Sequence, residues 1–539
     1  MKKSYNLYTG WTFGVLMLLI VNLSCETIAM DINDNPNELT LESADPNYVL
    51  NKIQTTFISQ HVSLSETTAR LIRQRFQFGT YAANAGVSTM DGPWANAYTI
   101  TSNLNLIKEL SAERNLPNHV GIGQVLEAFA YVNLVDMIGE AVYSQAVNPE
   151  YPAPDLDSGE SIYDAMFQQL DDAIANLSTV GSVQPEDIFF NGDMDKWVKL
   201  ANTLKLKMYL STKLVAPNAS GINEIVSSGN YIKELTDDFQ VKYGTSETNP
   251  DTRHPFFKSD YLTTAGNYQS NQFMYKLKFE KGIEDPRIRY YFYRQTLEDP
   301  LALGERLGIG SDLLPCDGND KYEYCYVGEG YWGRDHGDDE GIPNDGTYRT
   351  AFGIYPGGGA YDDGESNGPT TKTANKGGAG IHPILAGTFT NFMLAEAALP
   401  APVGLGAIGD SRTYLESGVR QSLNKVAGFS GIPMGSDSVE AYVAKVLELY
   451  DAETTDQGRL GVIMNEYHIA LYGNGLEAYN NYRRTGLPNL QSSVVSGTSF
   501  PRSFFLPISE LNSNDNPNLE QKSLTDQVFW DTNPVEFIQ

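Results

Sequence analysis

Apolar residues recur at three- and four-residue intervals along most of the chain, the spacing that gives an α-helix one buried stripe. Residues 48–78 carry Val49, Ile53, Phe57, Ile58, Leu64, Leu71 and Ile72. Residues 99–114 carry Ile100, Leu104, Ile107 and Leu110, and residues 120–138 carry Val125, Leu126, Phe129, Val132 and Val135. The same spacing marks 162–177, 197–215, 384–399, 414–426, 439–450 and 460–484. The segments come in pairs of about 15 to 20 residues separated by short Pro, Gly or Asn turns, close to the helix-turn-helix period of tetratricopeptide arrays. The Trp, Gly, Tyr and Ala signature of those repeats is not clean in any pair. The pattern therefore predicts a mainly α fold, a tetratricopeptide-like solenoid of degenerate helix pairs.

Residues 231–383 break this rhythm. The stretch 301–380 holds 19 of the chain's 49 glycines, together with Tyr322, Tyr324, Tyr326, Tyr331, Trp332, Tyr348, Tyr355 and Tyr361. No helical period persists there. A loop region of this length in a compact domain is expected to have a function, so it reads as a large irregular ligand-binding insertion. Residues 500–518 read as an extended tail.

The N-terminus has a different pattern. Lys2 and Lys3 precede nine apolar residues, 13–21, too few to span a bilayer and suited to the core of a signal peptide. Ser24-Cys25 follows, as in a lipoprotein signal that is cleaved to leave Cys25 acylated, although Asn22 stands where Leu is usual. Cleavage nearby with Cys25 free is the alternative. The expected organisation is a signal peptide at 1–24, an anchor and polar tether at 25–45, and one domain at 46–539. Stable anchoring follows from two or more acyl chains without a transmembrane helix.

Charge and cysteines narrow the chemistry. The 539 residues include 67 Asp and Glu against 38 Lys and Arg, a net charge of −29. That repels a phosphate backbone and anionic lipid headgroups, so nucleic acid is not an expected partner. Of 3 cysteines, Cys25 is assigned to lipid. Cys316 and Cys325, in an exported chain, read as a loop-closing disulfide or as two unpaired thiols; no His or third Cys flanks them for a metal. Catalytic motifs are sparse. Gly364-Glu365-Ser366-Asn367-Gly368 lacks the strand and helix of a nucleophile elbow. Gly404 to Gly409 matches a dinucleotide pattern but follows a helical segment. No HExxH or P-loop occurs. The acidic run holding Asp335, Asp338 and Asp339, with Asp345 beyond it, suits a structural Ca2+, with a solvated acidic loop as the alternative; no other cofactor is expected.

Aromatic residues outside helical stripes mark the candidate binding site. Trp94 lies with Asp91 and Asn96 in a turn leading into a helix, and Tyr331 and Trp332 lie with Arg334 among glycines. A Trp in a glycine-rich loop lacks helical neighbours to bury it. A ring beside Asp, Asn or Arg suits stacking on a sugar face or gripping a peptide. The alternative is a loop closed over its own aromatics.

Several phrases, in order, resemble the SusD/RagB family. They are the Asn- and Asp-rich opening at Asp31 to Asn37, and Glu127 to Ser144, where Ala141 and Val142 replace the common Val-Pro. They continue with the helix from Ile162 to Leu177, Asp193 to Lys207 around Trp197, and Ala470 to Pro488 with Arg483-Arg484-Thr485-Gly486. Pro501 to Pro507 and Asn514 to Asn518 close the series. The resemblance spans nearly the whole mature chain. It implies a tetratricopeptide-like fold and a lipoprotein on the outer face of the outer membrane of a Bacteroidota-type bacterium. It also implies a partner, a TonB-dependent transporter barrel of the SusC type, over which the protein acts as a lid. Family members capture oligosaccharides, some capture oligopeptides, and they are not enzymes. The matching phrases carry no binding residue, so the expected site rests on the loop aromatics.

Overall fold

The computed structural model describes residues 44–341, 343–365, 367–496 and 499–538. Cys25 and Ser366 lie outside the described residues. Five helices open the scaffold: α1 (Pro46–Leu71), α2 (Asp91–Arg114), α3 (Pro117–Ile138), α4 (Gly159–Leu177) and α5 (Met194–Ser211). Each packs on its successor, and α1 also packs on α3. Their ends follow local chemistry. Pro117 starts α3 at a position that needs no hydrogen-bond donor, and Gly139 ends it with φ +95°. Ser158 and Asp193 cap α4 and α5 by accepting from Ser161 N and Lys196 N.

Helix α3 is the centre of the scaffold. All its residues are buried, as expected of a helix that is packed on every side. Glycine permits two of those approaches: a Cβ on Gly121 would lie 2.7 Å from Leu177 Cγ, and one on Gly123 2.6 Å from Leu104 Cδ1. Near its end, the fully buried Asp136 carboxylate accepts from Tyr163 (2.5 Å), Lys207 (3.1 Å), Asn480 (2.8 Å) and the Trp530 indole (2.9 Å).

The insertion begins after α6 (Ala219–Ser228). Its two ends are joined by strands: β1 (Phe239–Lys242) pairs antiparallel with β4 (Ile381–Leu385), Lys242 opposite Ile381. Between them lie α7 (Asn271–Lys278), α8 (Pro300–Leu307) and a two-residue pairing of β2 (Phe292–Tyr293) with β3 (Ala351–Phe352). The region has its own aromatic core, which includes Tyr331 and Phe352 and in which Phe273, Tyr291 and Phe292 pack on Tyr472 from the scaffold. His61 on α1 and His382 on β4 face each other at 2.9 Å, a second join between scaffold and insertion.

Helix pairing resumes with α9 (Gly387–Ala397), α10 (Ser411–Ser430), α11 (Ser436–Ala452), α12 (Asp456–Ala470) and α13 (Gly475–Thr485). Here the structure departs from the sequence reading twice. The apolar run at 384–385 is strand, and the helix begins at Gly387. The single segment 460–484 is two helices, broken where Gly473 takes φ +101° and Asn474 caps α13 by accepting from Glu477 N. Helix α13 returns to pack on α1. Residues from Pro46 onward form one compact unit. Among the described residues, no helix is long and apolar enough to cross a membrane.

Candidate functional site

The two expected tryptophan clusters stand in separate parts of the molecule, and neither presents an open ring. Trp94 is in the first turn of α2, not in a turn before it, and only 4% exposed. Its indole donates to Glu510 at 3.1 Å and its ring meets Tyr98 edge-on. Asp91 accepts from the Ser509 amide and hydroxyl, and Asn96 is half-buried on the same helix. This cluster fastens the C-terminal segment to α2. Trp332 is 2% exposed, packed on Leu303 and Leu313 and stacked near Tyr348. Tyr331 is buried under the Arg294 guanidinium, and burial pushes its hydroxyl pKa up. Arg334 lies over Tyr268 at 4.4 Å and pairs with Asp338. The expectation of an unburied loop tryptophan fails because α8 and the turn at 310–313 supply apolar neighbours from within the insertion.

The acidic run is also committed elsewhere. Asp335 is buried and accepts five hydrogen bonds, from the Glu323, Tyr324 and Cys325 amides, from Asn271 and from Gln491, at 2.7–3.1 Å. Asp338 accepts from the Tyr322 hydroxyl and the Glu340 amide. Asp339 is exposed. Asp345 accepts from the Tyr268 hydroxyl. Among the described residues, no group of three or more His, Cys, Asp or Glu is placed to hold a metal. Three of these carboxylates, Asp335, Asp338 and Asp345, thus accept hydrogen bonds that fold the loop.

What that loop displays is a different set of rings. Cys316 and Cys325 are bonded with Cα atoms 5.6 Å apart. The disulfide and Asp335 together fix Tyr324 beside Tyr275, ring centroids 4.9 Å apart. Tyr275 and Phe279, four residues apart along α7 and its C-cap, share one face. They are 37% and 40% exposed. Tyr275, Phe279 and Tyr324 thus form an open aromatic surface.

Carboxylates border it. Burial raises the Tyr324 hydroxyl pKa, and Glu323 and then Glu280 raise it further. The nearby cations are neutralised: Lys276 by Glu280 at 3.0 Å, and Lys278 by Glu284 and by Glu329 at 2.7 Å. Glu280 also lines a cavity of about 420 Å³ between α7, α11 and α12. A larger cavity of about 590 Å³ lies by Ser492, Ser493 and Thr525, but its rings, Tyr81 and Phe500, are 2% and 3% exposed and offer no face. Open aromatic faces bordered by hydrogen-bonding groups suit a polyhydroxylated ligand with apolar ring faces. Sequence reasoning missed this surface because α7 has only eight residues. The Tyr-to-Phe spacing of four, 275 to 279, was the available signal.

Fold and surface together define a helical-repeat binding protein with an elaborated insertion. Comparison makes this specific: the chain belongs to the SusD-like family, described as starch-binding and associating with the outer membrane, whose family model matches residues 36–328 and 343–507. Solved structures share the fold. A SusD homologue from Bacteroides fragilis superposes with a TM-score of 0.66 at 18% identity, covering 91% of this chain and 100% of its own. A chitin-binding protein gives 0.65 at 20%, again over 91% and 100%. A chitin-binding SusD homologue from Flavobacterium johnsoniae gives 0.62 at 18%, over 90% and 99%. No curated protein matches the sequence.

Proposed function

We propose that this protein captures oligosaccharides at the outer-membrane surface and passes them to a SusC-type TonB-dependent transporter, for which it acts as the lid. The observation that carries the reading is the open surface of Tyr275, Phe279 and Tyr324 in the insertion of a SusD-like scaffold. The chitin-binding names of two structurally similar proteins favour a sugar over an oligopeptide. The protein binds without turnover in this reading, and the acyl chains on Cys25 hold it to the membrane facing outward.

Calorimetric titration with neutral oligosaccharides tests the site. Tyr275→Ala and Tyr324→Ala are each expected to weaken binding about tenfold, the loss of one ring contact and its buried area. Wild-type affinity in both variants would remove the site, and saturable binding of peptides alone would transfer the role to peptides. Cys25→Ser is expected to move the protein from the membrane to the soluble fraction; membrane retention would exclude the lipid anchor.

A further inference from the structure

A chain of net charge −29 carries a basic surface where the insertion joins the scaffold. Residues 239–260 and 370–386 hold Lys242, Arg253, Lys258, Lys372 and Lys376 against Glu247, Asp251 and Asp260. The three carboxylates are spent elsewhere. Glu247 and Asp251 both pair with Arg253, at 2.8 and 2.9 Å. Asp260 is fully buried and accepts from Ser259 and from the Gly266 and Phe352 amides. The four lysines form no ion pair among the described residues.

The fold gathers these lysines at the β1–β4 pairing. Lys242 ends β1, opposite Ile381 at the start of β4. Beyond that pair, Tyr243 N donates to Gly380 O and His254 N to Gly378 O, each at 2.9 Å. These bonds stitch the turn 371–378, with Lys372 and Lys376, to the segment 243–254. Lys258 is one helical turn past His254, in the short helix Pro255–Tyr261. Lys242 and Lys372 are exposed, and Lys258 and Lys376 are half-buried. Two half-buried rings lie among them. The Lys376 ammonium sits 4.7 Å from the centre of the Phe429 ring at the end of α10, and Tyr243 meets His254 edge-on.

Four cations without a carboxylate partner repel one another, and anions relieve that repulsion. Salt screens charges more than about 8 Å away, so the acidic excess elsewhere on the molecule does not cancel the local field. Several lysines on one surface match a chain with repeated anionic groups better than a single ion. An anionic bilayer also repeats its charges, but firm binding there adds apolar side chains sunk into the lipid. Phe429 and Tyr243 are too buried to insert and offer only their faces. Ring faces among cations suit sugar rings that bear carboxylates or sulfates.

We infer that this surface holds an acidic polysaccharide, a chain of sugars carrying uronate or sulfate groups. The lysines meet its anionic groups, and Phe429 and Tyr243 meet its ring faces. The surface shares no residue with Tyr275, Phe279 and Tyr324, so the inference goes beyond the reading above and is tested apart from it.

The test titrates the full chain with a galacturonate tetramer and a sulfated galactose tetramer. Saturable binding of at least one is expected. It should weaken at least about tenfold between roughly 0.01 M and 1 M salt, where the screening length shrinks from about 30 Å to about 3 Å. The double variant Lys242→Gln/Lys372→Gln removes two exposed charges and should bind the acidic tetramer about fivefold more weakly. Lys242→Arg/Lys372→Arg keeps the charges and should bind like the wild type. Both positions are exposed, so both variants fold. Tyr275→Ala should leave acidic binding unchanged. No binding of either tetramer, equal binding in the Gln variant, or loss in the Arg variant or in Tyr275→Ala overturns the inference. Equally tight binding of phosphatidylglycerol vesicles, lost in the Gln variant, reassigns the surface to lipid and overturns it too. Acidic binding that behaves as expected while neutral oligosaccharides fail to bind supports this inference and removes the Tyr275 site alone.

Discussion

Asp335 shows how much one carboxylate can organise. Its five donors come from the 323–325 backbone, α7 and the segment after α13. Replacing it by alanine leaves those buried donors unmet. Asp335→Ala is expected to cost about 3 kcal/mol of unfolding free energy, the penalty of several orphaned groups partly relieved by relaxation. Urea denaturation reads the loss, and ligand affinity should fall with it because Tyr324 is no longer held. The residue types were visible in the sequence, but their partners were not. Asp335 read as a metal ligand and Trp332 as an exposed ring, because neither the donors of 323–325 nor the apolar wall of Leu303 and Leu313 has a periodic signature. Glu280 passed unnoticed for the same reason: its partner Asn465 is on α12, which lies far along the chain.

At the scale of elements, helices with four or more turns were legible. The stripes of 99–114, 120–138 and 162–177 lie inside α2, α3 and α4. The errors fall where a local backbone event outweighs the apolar spacing, as at Gly473 and Asn474, or where apolar residues serve a strand, as at Ile384. The insertion was illegible in detail because its elements are short and its core is built from turns. The disulfide loop is such an element. Cys316 and Cys325 are nine residues apart. Closing a loop of that size removes unfolded-state entropy equivalent to about 2–3 kcal/mol. The double variant Cys316→Ser/Cys325→Ser is expected to lose that much in chemical denaturation. Its weakened oligosaccharide binding would report the release of Tyr324, while unchanged binding would mean that Asp335 alone suffices.

At the scale of the whole molecule, histidine sets the acid limit. His61, His254, His336, His382 and His468 are all buried, and burial lowers each pKa, to about 3 for His382 and His468. The unfolded chain takes up protons near pH 6.5 that the folded chain refuses, so stability is full above that pH and falls as pH drops below it. Each imidazole contributes roughly 1 kcal/mol per pH unit in that window. Buried Glu127, Glu477, Asp260 and Asp345, whose pKa values are raised chiefly by burial, act oppositely but only near the carboxylate range. Urea midpoints are therefore expected to drop steeply from pH 6.5 to 5; a flat profile would contradict the burial of these rings. The Asp136 carboxylate carries a further consequence, in time rather than in energy. Two of its four donors, Asn480 and Trp530, belong to the last stretch of the sequence. A chain synthesised from its N-terminus makes α3 early but cannot complete the bonds of that charge until nearly every residue has been added. The last residues made are thus among those that lock the first helices.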